Sequence, residues 1–409
     1  MIKSYPKYEQ TFTFGIISGN TCNVIFDSSG KQAISGCMDK VGVWNIRLNK
    51  IISWWQDVEN ESWVNFIEQH PNGTYYAVGY NDGSIRMFEI NWNRCMDVFR
   101  GHKSGISFLR FSRCGDYLSS GSRDGDIVVW DIVGERGMTR LVGHKQTITG
   151  LYFLNTESRG LCLISSSKDG FLKMWDCELK HCYKTLVEHE HEIGGFAMNE
   201  SEGMLITGST DGFLRVFKMN EQQELEFYAK VSRAGKERVT SCMFVDRFLI
   251  VCASSLEMYQ IPTTSAMKKV MKRILPSEFL PSEFLPSEFP CRGILPVKDR
   301  IRSFSVNNKH DQMIVGTFSN VIQTFAFPAT KEDEFQSKSI INAHGHRGEV
   351  KHVEISKSGE LLLSVSSESI KLWDVYSRQC TRTLTAFRLE GKYSPISASF
   401  VMNDQKIII

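Results

Sequence analysis

His102, Ser120 and Asp124 are the residues of this chain whose types most resemble a catalytic set. A serine hydroxyl, an imidazole base and a carboxylate together can activate a nucleophile for acyl transfer. The pattern argues against that chemistry because it recurs, with His144 and Asp169 repeating the histidine and aspartate in the next segment. Catalytic groups are not copied into successive structural units. We therefore interpret these residues as a structural hydrogen-bond network and expect that the protein is not an enzyme.

The other motifs that could carry chemistry are incomplete. The sequence contains no phosphate-binding loop, no glycine-rich dinucleotide motif, no nucleophile elbow and no HExxH zinc motif. Cys177, His181 and Cys182 lie close together, but no second pair follows at zinc-finger spacing. The histidines between residues 344 and 352 lack a cysteine or carboxylate to complete a ligand set. We expect no catalytic residue, no metal, no cofactor and no small-molecule substrate.

The segments that position these residues form an internal repeat. Residues 101–131 and 143–176 each run from a Gly-His pair through an apolar strand and an Asp-Gly turn to a final Trp-Asp. The closing aromatic residue recurs along the chain at Trp44, Phe88, Trp130, Trp175, Phe217, Tyr259, Phe325 and Trp373. Four Asp-Gly pairs lie in phase with it, six residues earlier, at Asp82, Asp124, Asp169 and Asp211. Two marks in phase over four units indicate a true repeat.

The repeat predicts short antiparallel strands. Asp-Gly between two apolar runs indicates a tight hairpin, because such a turn requires positive φ at its central residues. Residues 127–130 are apolar on both faces, as in a sheet packed between two neighbouring sheets. Four-stranded units of about 40–45 residues with these marks are typical of WD40 propellers. We predict an all-β WD40 β-propeller with seven blades. An eight-bladed ring, or use of the N-terminal TFTFGII segment to complete a blade, also fits the repeat.

The repeat count also gives a domain organisation. We predict a first propeller over residues 1–330, made of seven units and interrupted by an insertion at about 262–297. An eighth unit and a partial ninth occupy 331–409, as the start of a second propeller at the C-terminus. We therefore expect the chain to end inside a tandem-propeller protein.

Structural roles are predicted for the residues of the repeat motif. They are His102, Asp124, Trp130, His144, Asp169, Trp175, His189, Asp211, His346 and Trp373. Units five, six and eight depart from the pattern, with Phe217 in place of tryptophan and Ala253 and Ser367 in place of aspartate. We expect these units to rely on packing rather than on a polar network.

Two groups of basic residues are candidates for RNA or partner contact. Arg123 and Lys168 precede the motif aspartate in consecutive units, so they should lie on one rim. Within the insertion, apolar residues at helical spacing from Met267 to Ile274 predict a short amphipathic helix. Its other side carries Lys268, Lys269, Lys272 and Arg273. The alternative is that both groups are solvated surface charge. The three LPSEF copies that follow are interpreted as linker, because a proline every fifth residue blocks helix and central strand.

Composition limits the classes of partner. Of 409 residues, 48 are Lys or Arg and 46 are Asp or Glu, so any RNA contact would be local or indirect. The 11 cysteines lie singly, mostly in apolar runs, which is typical of reduced, buried thiols inside the cell. No signal-peptide core and no run of 18 apolar residues is present, so we expect neither a secreted nor a membrane protein.

Three segments carry a resemblance that the repeat alone does not explain: KSYPKYEQTFTFGII at 3–17, DIVVWDIVGERGMTRLVGHKQTITG at 126–150, and GHRGEVKHVEISKSGELLLSVSSESIKLWDVYSRQCTRTL at 345–384. The chain resembles the tandem-propeller WD-repeat subunits of the small-subunit processome, which belong to the UtpB subcomplex and associate with U3 snoRNA. The resemblance implies a non-catalytic scaffold of the nucleus and nucleolus that acts in 18S rRNA maturation and small ribosomal subunit assembly. The implied partners are other UtpB and processome proteins and, directly or indirectly, U3 snoRNA or pre-rRNA.

An alternative function is that of a different WD40 adaptor, such as a substrate receptor of a ubiquitin ligase. Residues 44–47, Trp-Asn-Ile-Arg, are similar to the WDxR ligase-docking motif. Asn45 breaks that motif, and no second copy is present.

Overall fold

The computed structural model describes residues 15, 18–19, 22–57, 59–156, 159–233, 237–246, 248–260, 291–295, 297, 299–327, 335–342, 345–346, 348–367, 369–384, 397–401 and 406–408. Every regular element within them is a β-strand. The strands form eight four-stranded antiparallel sheets and one two-stranded sheet, as expected of an all-β WD40 fold. No helix in this part of the chain is long and apolar enough to cross a membrane.

The first four sheets follow one another along the chain, and each pairs its strands in chain order. The first sheet contains β1 (Val24–Phe26), β2 (Gln32–Cys37), β3 (Lys40–Asn45) and β4 (Lys50–Trp55). The second contains β5 (Val64–Gln69), β6 (Tyr75–Tyr80), β7 (Ser84–Glu89) and β8 (Trp92–Arg100). The third contains β9 (Ile106–Phe111), β10 (Tyr117–Ser122), β11 (Ile127–Asp131) and β12 (Arg136–Leu141). The fourth contains β13 (Ile148–Thr156), β14 (Gly160–Ser167), β15 (Leu172–Asp176) and β16 (His181–Leu186).

The remaining sheets have the same order. The fifth contains β17 (Ile193–Asn199), β18 (Met204–Ser209), β19 (Leu214–Met219) and β20 (Leu225–Val231). The sixth contains β21 (Ser241–Val245), β22 (Phe248–Cys252), β23 (Leu256–Gln260) and β24 (Cys291–Ile294). The seventh contains β25 (Ile301–Val306), β26 (Gln312–Thr317), β27 (Val321–Ala326) and β28 (Gln336–Asn342). The eighth contains β29 (Val350–Ile355), β30 (Leu361–Ser366), β31 (Ile370–Asp374) and β32 (Cys380–Leu384), and a hairpin of β33 (Ser399–Val401) and β34 (Lys406–Ile408) follows.

The Asp-Gly marks form the turns between second and third strands. Gly125 has a φ of 90° in the turn between β10 and β11. A Cβ on this glycine would lie 2.7 Å from the carbonyl oxygen of His144, so both the φ angle and the close approach require glycine. Asp124 caps the same turn, since its Oδ1 accepts the backbone N–H of Asp126 at 3.0 Å.

Sheets pack against their neighbours through both apolar faces. Val128 and Val129 of β11 point to opposite faces, and both are buried. A missing side chain lets the next sheet approach: a Cβ on Gly79 of β6 would lie 2.5 Å from Cγ2 of Ile106 in β9. Because first strands of successive sheets contact one another, as β5 contacts β9 and β9 contacts β13, these strands are the innermost.

The chain divides into two compact units, with residues 19–341 in one and the residues on either side in the other. In the larger unit the first sheet contacts the seventh, where the N–H of Val24 donates to Oγ of Ser303 at 3.0 Å. Arg302 reinforces this contact by donating from Nη1 to the carbonyl oxygen of Gly19 at 2.6 Å. In the smaller unit Gly15 lies against Trp373, whose ring a Cβ on the glycine would approach to 2.5 Å.

Two features bear on the predicted domain limits. β28, which completes the seventh sheet, extends beyond residue 330, where the first domain was predicted to end. Residues 291–294, within the predicted insertion at 262–297, form β24 and pair with β23. The sixth sheet therefore includes part of the predicted insertion.

Candidate partner-binding rim

The fourth sheet contains the full polar network predicted for the repeat. Nδ1 of His144 donates to Oδ2 of Asp169 at 2.9 Å, and Nε2 lies 2.8 Å from Oγ of Ser165. The indole N–H of Trp175 donates to the same hydroxyl at 2.7 Å. Burial opposes ionisation of Asp169, but hydrogen bonds from His144 and the N–H of Lys145 outweigh it and hold the pKa of the carboxyl below its usual value. Ser165 is fully buried, so this arrangement is not an accessible nucleophile.

The third sheet lacks one of these bonds, which corrects the predicted network. Nε2 of His102 lies 2.7 Å from Oγ of Ser120, which also accepts the indole N–H of Trp130 at 2.8 Å. The expected bond from His102 to Asp124 is absent, because the Asp124 side chain is exposed to solvent. Nδ1 of His102 has no hydrogen-bond partner among the described residues. Burial lowers the pKa of His102 to about 4.

The eighth sheet replaces the missing aspartate with hydroxyls. Nε2 of His346 lies 2.6 Å from Oγ of Ser364, which accepts the indole N–H of Trp373 at 2.7 Å. Nδ1 of His346 lies 2.9 Å from Oγ of Ser366. The expectation that this unit relies on packing alone is therefore wrong, because serine side chains satisfy both imidazole nitrogens.

The fifth and sixth sheets also contain polar networks where packing was expected. In the fifth sheet Nε2 of His189 lies 2.8 Å from Oγ1 of Thr207, while Arg215 binds Asp211 at 2.9 Å. In the sixth sheet Glu257 accepts a hydrogen bond from Tyr259 and pairs with Arg233 at 3.2 Å.

Ion pairs accompany three of the four Phe or Tyr residues that close the repeat in place of tryptophan, namely Phe88, Phe217 and Tyr259, whereas Phe325 has the uncharged Gln323 two positions before it. In those three units a charged residue lies two positions before the aromatic residue, and its side chain is buried. The three pairs are Arg86–Asp57 at 2.6 Å in the second unit, Arg215–Asp211 and Arg233–Glu257. Neither Phe nor Tyr has an indole N–H, so these units satisfy their buried polar groups with charge instead.

The two described candidate contact residues lie close together on one rim. Arg123 is in the turn between β10 and β11, and Lys168 is in the equivalent turn between β14 and β15. Thr147 joins them, because its hydroxyl donates to the carbonyl oxygen of Arg123 at 3.4 Å and its carbonyl oxygen accepts the N–H of Lys168 at 3.0 Å. The Arg123 side chain is exposed and reaches Oδ1 of Asn65 at 3.5 Å.

Exposed aromatic residues lie at the same ends of the strands, and the sequence reasoning missed them. Trp63 is 58% exposed just before β5, and Phe318 is 40% exposed in the turn after β26. The backbone N–H of Phe318 donates to the carbonyl oxygen of Arg300 at 2.9 Å. The Arg300 guanidinium carbon lies 5.8 Å from the centroid of the Phe318 ring. Phe318 was detectable, because it lies seven residues before its closing aromatic residue, as Arg123 and Lys168 do. We define the turn rim as Trp63, Arg123, Lys168, Arg300 and Phe318.

The remaining predicted contact residues, Lys268, Lys269, Lys272 and Arg273, lie outside the residues that the structure describes. The predicted amphipathic helix and the LPSEF copies lie outside them too.

A shallow pocket of about 310 Å³ lies at the opposite ends of the inner strands. Its charged groups bind one another: Arg110 pairs with Glu68 at 3.2 Å, and Arg113 pairs with Glu200 at 3.2 Å. The hydroxyl of Tyr152 donates to Glu200. The described residues include no group of three His, Cys, Asp or Glu side chains that could hold a metal ion.

Comparison with known proteins agrees with this fold. Residues 31–219 match the family described as WDR3 first beta-propeller domain, and residues 337–374 match the WD domain, G-beta repeat. A chain in the crystal structure of a mitotic checkpoint complex shares the fold, with a TM-score of 0.59 and 16% identity over 78% of this chain and 94% of that one.

Curated relatives align as well. U3 small nucleolar RNA-associated protein 12 of Saccharomyces cerevisiae is 29% identical over 445 aligned positions, which cover 97% of this chain and 47% of that protein. The WD repeat-containing protein 3 homolog of Dictyostelium discoideum is 37% identical over 109 residues (26% of this chain, 11% of that protein). WD repeat-containing protein 3 of Homo sapiens is 30% identical over 94 residues (22% and 10%). The chain spans about half or less of the length of these relatives. The chain is thus a WD-repeat protein that is similar in sequence to WDR3 and to U3 small nucleolar RNA-associated protein 12.

Proposed function

We propose that the chain is a non-catalytic scaffold of the nucleolar small-subunit processome that acts in 18S rRNA maturation and assembly of the small ribosomal subunit. The observation that carries the proposal is the alignment with U3 small nucleolar RNA-associated protein 12, which extends over 97% of the chain. Its partners are other UtpB and processome proteins, and its contact with U3 snoRNA or pre-rRNA is direct or through them.

The turn rim is the surface that we assign to partner contact. It combines three cations with two exposed aromatic side chains, a combination that suits both protein hot spots and the stacking of single-stranded RNA. Thr147 fixes Arg123 and Lys168 relative to each other, because its hydroxyl donates to the carbonyl oxygen of Arg123 and its own carbonyl oxygen accepts the N–H of Lys168. The contact between the first and seventh sheets supports a seven-bladed ring as the platform for this rim.

Affinity purification of the tagged full chain tests the proposal. We expect co-purification of U3 snoRNA and UtpB proteins, and a nucleolar signal from a fluorescent fusion. The substitutions Arg123→Glu and Lys168→Glu together should reduce this recovery. Their matched control is Arg47→Glu with Lys50→Glu, which reverses two exposed charges beside the turn between β3 and β4, on the opposite rim. The control should recover wild-type amounts.

Other outcomes would contradict the proposal. Recovery of cullin-ligase subunits without U3 snoRNA would favour the adaptor alternative, although Trp44 and Ile46 of the WDxR-like segment are buried. Equal losses in the two double variants would remove the turn rim from the proposal and leave the scaffold role in place.

A further inference from the structure

The outer strand of the second sheet has an unusual exposed face. β8 has nine residues, and large apolar side chains along it are exposed: Trp92 by 49%, Met96 by 45% and Val98 by 42%. Arg94 and Arg100 of the same strand are exposed as well. Two register shifts opposite Phe88 interrupt the pairing of β8, and its inward side chains pack on both sides of the sheet, Phe99 against Trp130 at 5.4 Å between ring centroids and Cys95 against the core shared with the first sheet. The exposed apolar stripe is therefore not a result of a loosely packed strand.

β8 also has a free edge. It pairs with β7, and no other described strand pairs with it. Long apolar strands at a sheet edge offer unpaired N–H and C=O groups to another chain, and proteins usually shorten or charge such strands. The matching strand of the third sheet, β12, follows that rule, since its exposed positions are Arg136, Gly137 and Arg140. In β8 the exposed positions are mostly large and apolar.

The charge of β8 indicates what kind of chain would pair with it. Neither Arg94 nor Arg100 forms a salt bridge with a described residue, and the Arg94 guanidinium lies 4.9 Å from the Trp92 ring centroid. Asp57, whose pKa Arg100 helps to lower, already binds Arg86 at 2.6 Å. Two cations beside an apolar stripe favour an occupant that alternates apolar and acidic residues. A second copy of β8 would instead place four arginines on one face.

We propose that β8 is a docking strand for an extended, acidic and apolar segment of a partner protein, which adds to the second sheet as a fifth strand. Main-chain hydrogen bonds supply affinity in this mode, and alternate side chains supply specificity. At about 3.3 Å per residue, the nine residues of β8 can pair with a segment about 30 Å long. β4, which contacts β8 and exposes Ile52, extends the apolar surface.

The probe is a fluorescent nine-residue peptide, ETVTITETV, whose Glu, Val and Ile side chains would face the β8 stripe when it pairs antiparallel. We expect the full chain to bind it at least about tenfold more tightly than KTVTITKTV, as measured by fluorescence anisotropy. ETVPIPETV should not bind, because its prolines remove ladder hydrogen bonds. Arg94→Glu with Arg100→Glu should reverse the preference between the acidic and basic peptides. Met96→Thr with Val98→Thr should weaken binding of both.

The matched control is Arg136→Glu with Arg140→Glu, which reverses two exposed arginines on β12 and should leave the acidic peptide's affinity unchanged. The proposal is overturned if no peptide binds, if the proline peptide binds equally well, or if the β8 and β12 variants behave alike. It is also overturned if the chain sediments as a dimer that the Met96 and Val98 substitutions dissociate, because a second copy then covers the edge.

Discussion

A repeated histidine has a different environment in each sheet. Nδ1 reaches a carboxylate at His144 and a serine hydroxyl at His346, whereas Nδ1 of His102 and His189 has no partner among the described residues. In the third sheet the motif aspartate points to solvent, and in the fifth it binds Arg215. The repeat therefore identifies the histidine, but its partner depends on where a short carboxylate side chain points.

Replacing these histidines should have unequal effects on stability. His144→Ala removes two hydrogen bonds, one of them to a carboxylate, and should lower the free energy of unfolding by about 2–4 kcal/mol. His102→Ala removes one neutral bond and an unsatisfied buried nitrogen, and should cost about half as much or less. Urea denaturation of the two variants measures the difference. Equal losses would show that the Asp169 bond contributes nothing.

The buried histidines predict a loss of stability in mild acid. Burial lowers the pKa of His102 to about 4, of His189 to about 3 and of His346 to about 4. The unfolded chain binds protons at these sites below about pH 6.5 while the folded chain does not, so stability falls as pH drops from about 6.5 toward 4. Asp169 and Asp211 have lowered pKa values, and their contribution is lost only below about pH 4.

Melting temperatures between pH 7 and pH 4.5 test this window. His102→Asn with His189→Asn should flatten the slope, because asparagine does not titrate. Each histidine should account for about 1–2 kcal/mol near pH 5. His181→Asn, at an exposed position on β16, should keep the wild-type slope. A double variant with the wild-type slope would assign the acid sensitivity to other groups.

At the scale of the element, the second, fifth and sixth sheets lack the closing tryptophan and contain a buried ion pair instead. Arg233 and Glu257 bind at 3.2 Å, with 0% and 8% of their side chains exposed. Arg233 also donates to the carbonyl oxygen of Glu237 at 2.6 Å. Removing one partner of such a pair leaves an uncompensated charge in a dry environment, whereas removing both does not.

Glu257→Ala should therefore lower the free energy of unfolding by about 3–5 kcal/mol, and Glu257→Leu with Arg233→Met should recover most of it. The control is Arg136→Ala, which breaks a pair with Asp131 whose arginine is 77% exposed and should cost less than about 1 kcal/mol. Urea denaturation gives all three values. A double variant as unstable as Glu257→Ala would mean that the pair has a role beyond charge compensation.

The strands and their turns could be predicted from sequence to a large extent. Two short apolar runs predict β10 and β11, and the Asp124–Gly125 pair predicts the turn between them. The Arg86–Asp57 pair could not be predicted, since the two residues are 29 positions apart and lie outside the repeat motif. The length of β8 was also missed. Register shifts opposite Phe88 accompany the nine-residue length of β8, whereas most strands have about six residues. Such bulges have no clear sequence signature.

At the scale of the larger unit, Arg302 joins the seventh sheet to the first. Nη1 donates to the carbonyl oxygen of Gly19 at 2.6 Å, and Nη2 donates to Oγ of Ser35 at 3.3 Å. These residues are more than 260 positions apart, so the arginine joins parts of the chain that no local contact brings together. Loss of the arginine should loosen this junction more than the rest of the unit.

Arg302→Met removes both hydrogen bonds and should speed amide hydrogen exchange in β1, β2 and β25 by at least about tenfold, which is the effect of losing one charged hydrogen bond. Exchange in β13 and β14 should not change, because these strands belong to the fourth sheet and not to the first or the seventh. Arg300→Met is the matched control, because that arginine is exposed and precedes Arg302 by two residues. Uniform acceleration over all seven sheets would mean that the junction opens only with the whole unit.

Six buried free cysteines of the larger unit can report when each part of it unfolds. Burial raises the pKa of Cys22 to about 11 and of Cys177 to about 12, and it raises the pKa of Cys37, Cys162, Cys242 and Cys252 as well. A thiol in that state does not react with an alkylating reagent until its sheet separates from the neighbours. Two of these six cysteines belong to each of the first, fourth and sixth repeat units. Pulses of iodoacetamide during slow denaturation, followed by peptide mass measurement, would therefore give the order in which the sheets of the larger unit separate.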